Sequence, residues 1–100
     1  MNKTKLAGTL GLCMRSGNLR CGAMATDDAI KKGKAVLILL TSDAAPSHRV
    51  HLEHIAPGAE VADIGADSSF MLGSVGRSCC IAAVTDKNFV TPIKNSLMEE

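Results

Sequence analysis

The sequence predicts a single α/β domain, a sheet with helices on both faces, and three observations predict it. Helical and extended signals alternate along the whole chain. Two of the extended segments, Ala35–Leu40 and Cys79–Val84, are apolar throughout, as strands buried on both faces are. The 100 residues are 46% apolar, enough to exclude a disordered chain and too few for a second core.

The elements follow in order. Leu6, Leu10, Cys13 and Met14 fall at i, i+4, i+7 and i+8 and mark one face of a first helix, which Gly17 ends. Gly8 and Gly11 weaken it locally and are expected to allow close packing. Asn18–Cys21 is a short strand. Gly22 opens a second helix over Ala23–Lys32, with Lys31 and Lys32 in its last turn, where cations suit the helix dipole. Gly33 stops it, and Ala35–Thr41 forms a buried strand. Ser42-Asp43-Ala44-Ala45 is a turn into a third helix with Pro46 in its first position, and Pro57-Gly58 closes that helix. Glu60–Ile64 is a weak strand. Asp67 or Ser68 caps a short helix ending at Val75-Gly76. Cys79–Val84 is the second apolar strand. Asp86–Asn88 caps a last helix, whose Phe89, Ile93 and Leu97 share a face. The two apolar strands should be central and the two short polar ones should lie at the edges.

Composition restricts function. Phe70 and Phe89 are the only Phe, Tyr or Trp residues, so the core must be aliphatic, and stacking of single-stranded bases, which needs exposed rings, is not expected. Net charge is +1, far below that of a non-specific nucleic-acid binder, so any RNA affinity must come from a local patch. No run approaches the ~20 apolar residues of a membrane helix, and Met1–Lys5 is not followed by the apolar stretch of a signal peptide. A cytoplasmic protein with no membrane partner is therefore expected. Cys13, Cys21, Cys79 and Cys80 should be reduced thiols serving as small core fillers, with the adjacent Cys79 and Cys80 pointing to opposite faces.

Patterns for catalysis are missing. Gly17 and Gly22 have the spacing of a phosphate loop, but Ala23 stands where its lysine is required. His48, His51 and His54 recur every three residues without a thiol or acid at ligand spacing and are expected to be solvated. Asp27 and Asp28 point about 100° apart on a helix and read as a solvated face rather than an acid–base pair. No nucleophile elbow is present. We expect no enzyme activity, no metal, no cofactor and no small-molecule substrate. What remains is Gly22, at a strand-to-helix junction where backbone amides approach a ligand closely and a helix N-terminus favours phosphate, with Arg20 just before it. An ordinary tight turn is the alternative at that point.

Several short stretches, in this order and spacing, resemble one family. They are Leu10-Gly11-Leu12-Cys13-Met14-Arg15, Ala29-Ile30-Lys31-Lys32-Gly33-Lys34-Ala35, Ser42-Asp43 before Pro46, Leu72-Gly73-Ser74-Val75-Gly76-Arg77, and Thr85-Asp86-Lys87-Asn88-Phe89. Together they span nearly the entire chain and resemble the ribosomal protein L7Ae family, which binds kink-turn RNA, and within it the small bacterial YlxQ-type branch. The resemblance implies a three-layer α/β/α sandwich around a four-stranded mixed sheet in the order 1-4-2-3, with strand 4 antiparallel to the others. It implies an RNA-binding edge made by the start of the second helix, the loop after strand 2 and the loop before strand 4. Family members that bind kink-turns carry G-x-N-E-x-x-K at that helix. Here Gly22 is kept, while Met24, Ala25 and Asp28 replace the two base-reading residues and the phosphate-binding lysine. The expectation is a non-catalytic protein that docks structured RNA, ribosomal RNA included, through Arg20, Gly22, Ala23, Met24, Lys32, Ser42, Arg77 and Ser78. The alternative is a protein-interaction module of the same fold, acting through a protein partner.

Overall fold

A computed structural model describes residues 1–99. Five helices and four strands alternate in the predicted order: α1 Lys3–Arg15, β1 Leu19–Cys21, α2 Ala23–Lys31, β2 Leu37–Leu40, α3 Pro46–Ile55, β3 Val61–Asp63, α4 Ser68–Val75, β4 Ile81–Val84 and α5 Val90–Met98. A 3₁₀ turn over Lys87–Phe89 leads into α5. The sheet order is β1-β4-β2-β3. β4 runs antiparallel to both neighbours, pairing Arg20 with Ala83 and Leu39 with Ala82, while β2 and β3 are parallel. The apolar strands β2 and β4 are central, as burial on both faces requires.

Alternate residues of these strands feed two cores. On one face α1, α4 and α5 cover Leu37, Leu39, Ala82 and Val84, and Leu6, Leu10, Met71 and Ile93 complete the larger cluster. On the other, α2 and α3 cover Ile38, Leu40 and Ile81, with Leu52 of α3 as the buried helical contribution. Each such buried Leu, Ile, Val or Met side chain is worth ~1.5–3 kcal/mol over an exposed one. No helix among the described residues is long and apolar enough to cross a membrane.

The caps are local and legible. Asn2 Oδ1 accepts from Lys5 N–H at 3.0 Å and starts α1 earlier than the apolar pattern suggests. Asp67 accepts from Phe70 N–H at the start of α4, and Asp86 from Asn88 N–H at the 3₁₀ turn. Of the two helical glycines expected to permit close packing, Gly11 does so, since a Cβ there would meet Ser74 O of α4 at 3.0 Å; Gly8 faces open space. Both apolar strands are shorter than predicted. Val36 is 40% exposed and lies ahead of β2, and Cys79 and Cys80 lie ahead of β4, Cys80 in a bend.

Candidate nucleic-acid interface

Because β4 is antiparallel to its neighbours, its N-terminal end meets the C-terminal ends of the other three strands. Three segments converge there: the Gly22 corner, the loop after β2 and the loop before β4. Main-chain bonds tie them together. Gly22 N–H donates to Ile81 O at 2.8 Å and Thr41 N–H to Cys80 O at 3.0 Å, while Ser42 N–H reaches Ala66 O, between β3 and α4, at 2.9 Å.

Gly22 is the N-cap of α2 at φ 96° and ψ 162°, a conformation essentially reserved for glycine. Its carbonyl accepts the Thr26 N–H at 3.0 Å, so the helix begins immediately. Glycine supplies no side-chain cap, and the amides of Ala23, Met24 and Ala25 have no acceptor among the described residues. These are the orphan donors of a helix start, carrying the positive end of its dipole. Ala23 is exposed, and Met24 is 89% exposed, an unusual position for a large apolar side chain. The corner is thus open rather than covered by its own chain.

The loop after β2 is held by one carboxylate. Asp43 accepts from the Thr41 hydroxyl at 2.6 Å, and from the Ser68 hydroxyl at 2.7 Å and amide at 3.1 Å. The Thr41 and Ser68 hydroxyl bonds, with the Ser68 amide in a lesser part, lower its pKa to about 2. The Ser42-Asp43 pair was visible in the sequence as a turn signal, but its partner at the start of α4 was not. A groove of about 410 Å³ opens beside this loop between β2 and α3, lined by Leu40, Ala44, Pro46, Arg49 and Val50.

The expected site residues separate into two groups. Gly22, Ala23 and Met24 form the corner. Ser42 and Ser78 are exposed on the flanking loops. Arg77 lies close enough to the thiols of Cys21 and Cys79, beside the corner, for its charge to favour their ionised forms. Arg20 and Lys32 are corrections. The Arg20 guanidinium donates to Gly17 O at 2.7 Å, turned toward the start of β1 and away from Gly22. Lys32 is the C-cap of α2, roughly 15 Å along the helix from the corner at 1.5 Å per residue.

Lys32 nevertheless alters the electrostatics. Its ammonium sits 3.1 Å from Asp28, the acid at the family's lysine position, and offsets that charge. Asp27, expected in solvent, is held by His51 Nε2 of α3 at 2.8 Å, and its other oxygen is buried without a partner. Lys31, not foreseen as a site residue, lies on the same shallow groove as Met24, Ala25 and Asp28, one turn further on. Its helical spacing from Met24 and Asp28 was the available signal. Among the described residues no cluster of three or more His, Cys, Asp or Glu side chains is placed to hold a metal ion.

Comparison with known proteins agrees with this architecture. The sequence model of the ribosomal protein L7Ae/L30e/S12e/Gadd45 family matches residues 4–91. The chain belongs to this family. Two solved structures are similar to it in fold. One is a protein of unknown function from Bacillus halodurans C, with a TM-score of 0.80 and 21% identity over 94% of this chain and 97% of that one. The other is a 15.5 kD RNA-binding protein of Giardia lamblia, with a TM-score of 0.68 and 18% identity over 94% of this chain and 82% of that one. At these identities the likeness establishes the L7Ae-type fold. No curated protein matches the sequence.

Proposed function

We propose that this chain is a non-catalytic RNA-binding protein, ribosome- or translation-associated, that docks structured RNA on the edge formed by the Gly22 corner and its two flanking loops. The observation that carries the reading is the bare start of α2, where three amides lack acceptors beside the exposed Ala23 and Met24. Amides at a helix start bind phosphate through hydrogen bonds and dipole together. Arg77 adds a cation at that point, and the hydroxyls of Ser42 and Ser78 donate from the loops. Met24 packs against a sugar or base where the kink-turn binders carry an asparagine. The groove beside the 41–45 loop is mostly apolar, with Arg49, Glu53 and Asp63 also in its lining, and within the size range of small-ligand pockets, which suits one unstacked base. The RNA-binding protein of Giardia lamblia, which shares the fold, supports the same reading.

With Met24, Ala25 and Asp28 at the motif positions, main-chain and phosphate contacts dominate, so binding is shape-selective more than base-selective. Electrophoretic shift with ribosomal RNA fragments, a kink-turn and an unstructured control, over a salt series, tests this. Expected is micromolar binding to folded RNA that weakens with salt. Absence of any shift at low salt overturns the reading. The same result would favour a protein-interaction module, for which the exposed Met24 is the specific observation.

A further inference from the structure

The groove between β2 and α3 combines apolar walls with an unbalanced set of charges. Leu40, Pro46 and Val50 supply the apolar lining, and Arg49, Glu53 and Asp63 stand in the same lining. Leu40 is buried, while Val50 is 54% exposed and leaves apolar surface uncovered. Two of the charges cancel. The Arg49 guanidinium donates to Asp63 Oδ1 at 2.5 Å, which joins α3 to the end of β3. Glu53, one turn of α3 beyond Arg49, is exposed and has neither an ion-pair nor a side-chain hydrogen-bond partner among the described residues. Its carboxylate is free to accept.

That residual negative charge decides what the groove can take. A phosphate or carboxylate would be repelled by Glu53. The occupant that fits has a flat apolar body for the walls and N–H donors for the carboxylate, which accepts only. Guanine is the one RNA base whose Watson–Crick edge presents two adjacent donors, N1–H and the N2 amino group. Adenine and cytosine put a ring acceptor beside the amino group, and uracil flanks its N–H with two carbonyls, so in each a carboxylate meets a lone pair. Unstacked bases are read on this edge.

We propose that the groove is a guanine pocket, in which the apolar walls take the ring and the Glu53 carboxylate accepts two parallel hydrogen bonds from N1 and N2. Asp63 is tied to Arg49, so Glu53 is the specificity-determining residue. The inference deepens the RNA reading and rests on it for the source of the base. Gly22 and Thr41, the latter in the groove's lining, bond to the start of β4 from opposite sides. Two strand spacings, roughly 10 Å, therefore separate the Gly22 corner from the groove. One RNA strand can place its phosphates on the amides and its base beside the acid.

The experiment is an amide-shift titration of the full ¹⁵N-labelled chain with guanosine, inosine, adenosine and cytidine, paired with electrophoretic shift of hairpins that differ in one unpaired base. Guanosine should move the amides of Leu40, Val50 and Glu53. Inosine, which lacks the 2-amino group, should bind about tenfold more weakly, the worth of one charge-assisted hydrogen bond. A hairpin with unpaired guanine should bind about tenfold tighter than its adenine, cytosine or uracil counterparts. Glu53→Gln, an exposed substitution outside the Gly22 corner, should abolish both preferences. Equal or absent shifts from the four nucleosides, hairpin binding without preference for guanine, or a preference kept by Glu53→Gln would overturn the pocket. A guanosine response without any hairpin binding would support the pocket and overturn the RNA reading instead.

Discussion

The two helical layers rest on the same sheet yet differ in how they are held. On the α1–α4–α5 side twelve buried residues form one continuous cluster. On the α2–α3 side four do, with Ile30, Ala44 and Val61 half-buried at its margin. α2 buries only Thr26 and Ala29, and α3 only Leu52. A polar link between helices, His51 with Asp27, supplements that thin layer. The candidate interface hangs from the thinner side, since Gly22 opens α2 and the 41–45 loop leads into α3. One face supplies stability, and the other presents backbone amides and loops where a ligand can reach them. Such segments are commonly drawn from the less stable parts of a fold.

The largest expected contrast is in core truncation. Leu10→Ala should cost about 4 kcal/mol in urea unfolding, because Leu10 is fully enclosed, and Leu52→Ala about 2–3 kcal/mol, because the thinner layer can relax into the space. Equal losses would remove the distinction between the layers. Next comes a pair of glycine substitutions with opposite signs. Gly22→Ala should destabilise by about 1–3 kcal/mol, since its φ of 96° and ψ of 162° exclude a side chain. Gly8→Ala, within α1 and facing open space, should stabilise by about 0.5–1 kcal/mol. Thermal melts of the two variants read both signs.

Binding variants probe the open side. Ala23→Pro removes one unpaired amide at the first helical position, where proline is tolerated. Stability should change by less than about 0.5 kcal/mol, while RNA affinity falls about tenfold, the equivalent of one hydrogen bond to a charged group. An unchanged affinity would show that the amides are not the phosphate contact. Asp28→Lys restores the cation of the kink-turn motif and releases Lys32 from its ion pair. The slope of log affinity against log salt should steepen by about one to two.

The smallest effect is confined to acid. Asp43 is held at about 2 in the fold, against 3.8 for a free side chain. Its carboxylate is therefore charged in the folded chain under conditions where the unfolded chain takes up a proton. The stabilisation is fully present above pH ~4 and is lost as pH falls through about 2. Asp43→Asn should remove this acid step and loosen the 41–45 loop, seen as faster amide exchange at Ser68.

Much of the fold was legible because it follows from local rules. Alternating periodicities placed every element, and unbroken apolar runs identified β2 and β4 as central. Asp67, Asp86 and Pro46 marked helix starts from short-range chemistry alone. Errors fell where local pattern and tertiary environment part. Val36 is apolar yet 40% exposed ahead of β2, and Asp27 is acidic yet turned toward α3.

The sequence by itself determined the order of elements, the central strands, the family resemblance and the bare glycine start of α2, because each depends on residues within a turn or a strand of one another. Tertiary structure alone decided that Arg20 turns back to Gly17, that Lys32 offsets Asp28 at the far side of α2, and that Asp43 grips Ser68. The Asp43–Ser68 contact joins residues far apart in the chain, the other two are local, and all depend on side-chain direction. Hydrophobic spacing specifies which face is buried, but not where a long polar side chain finds its partner.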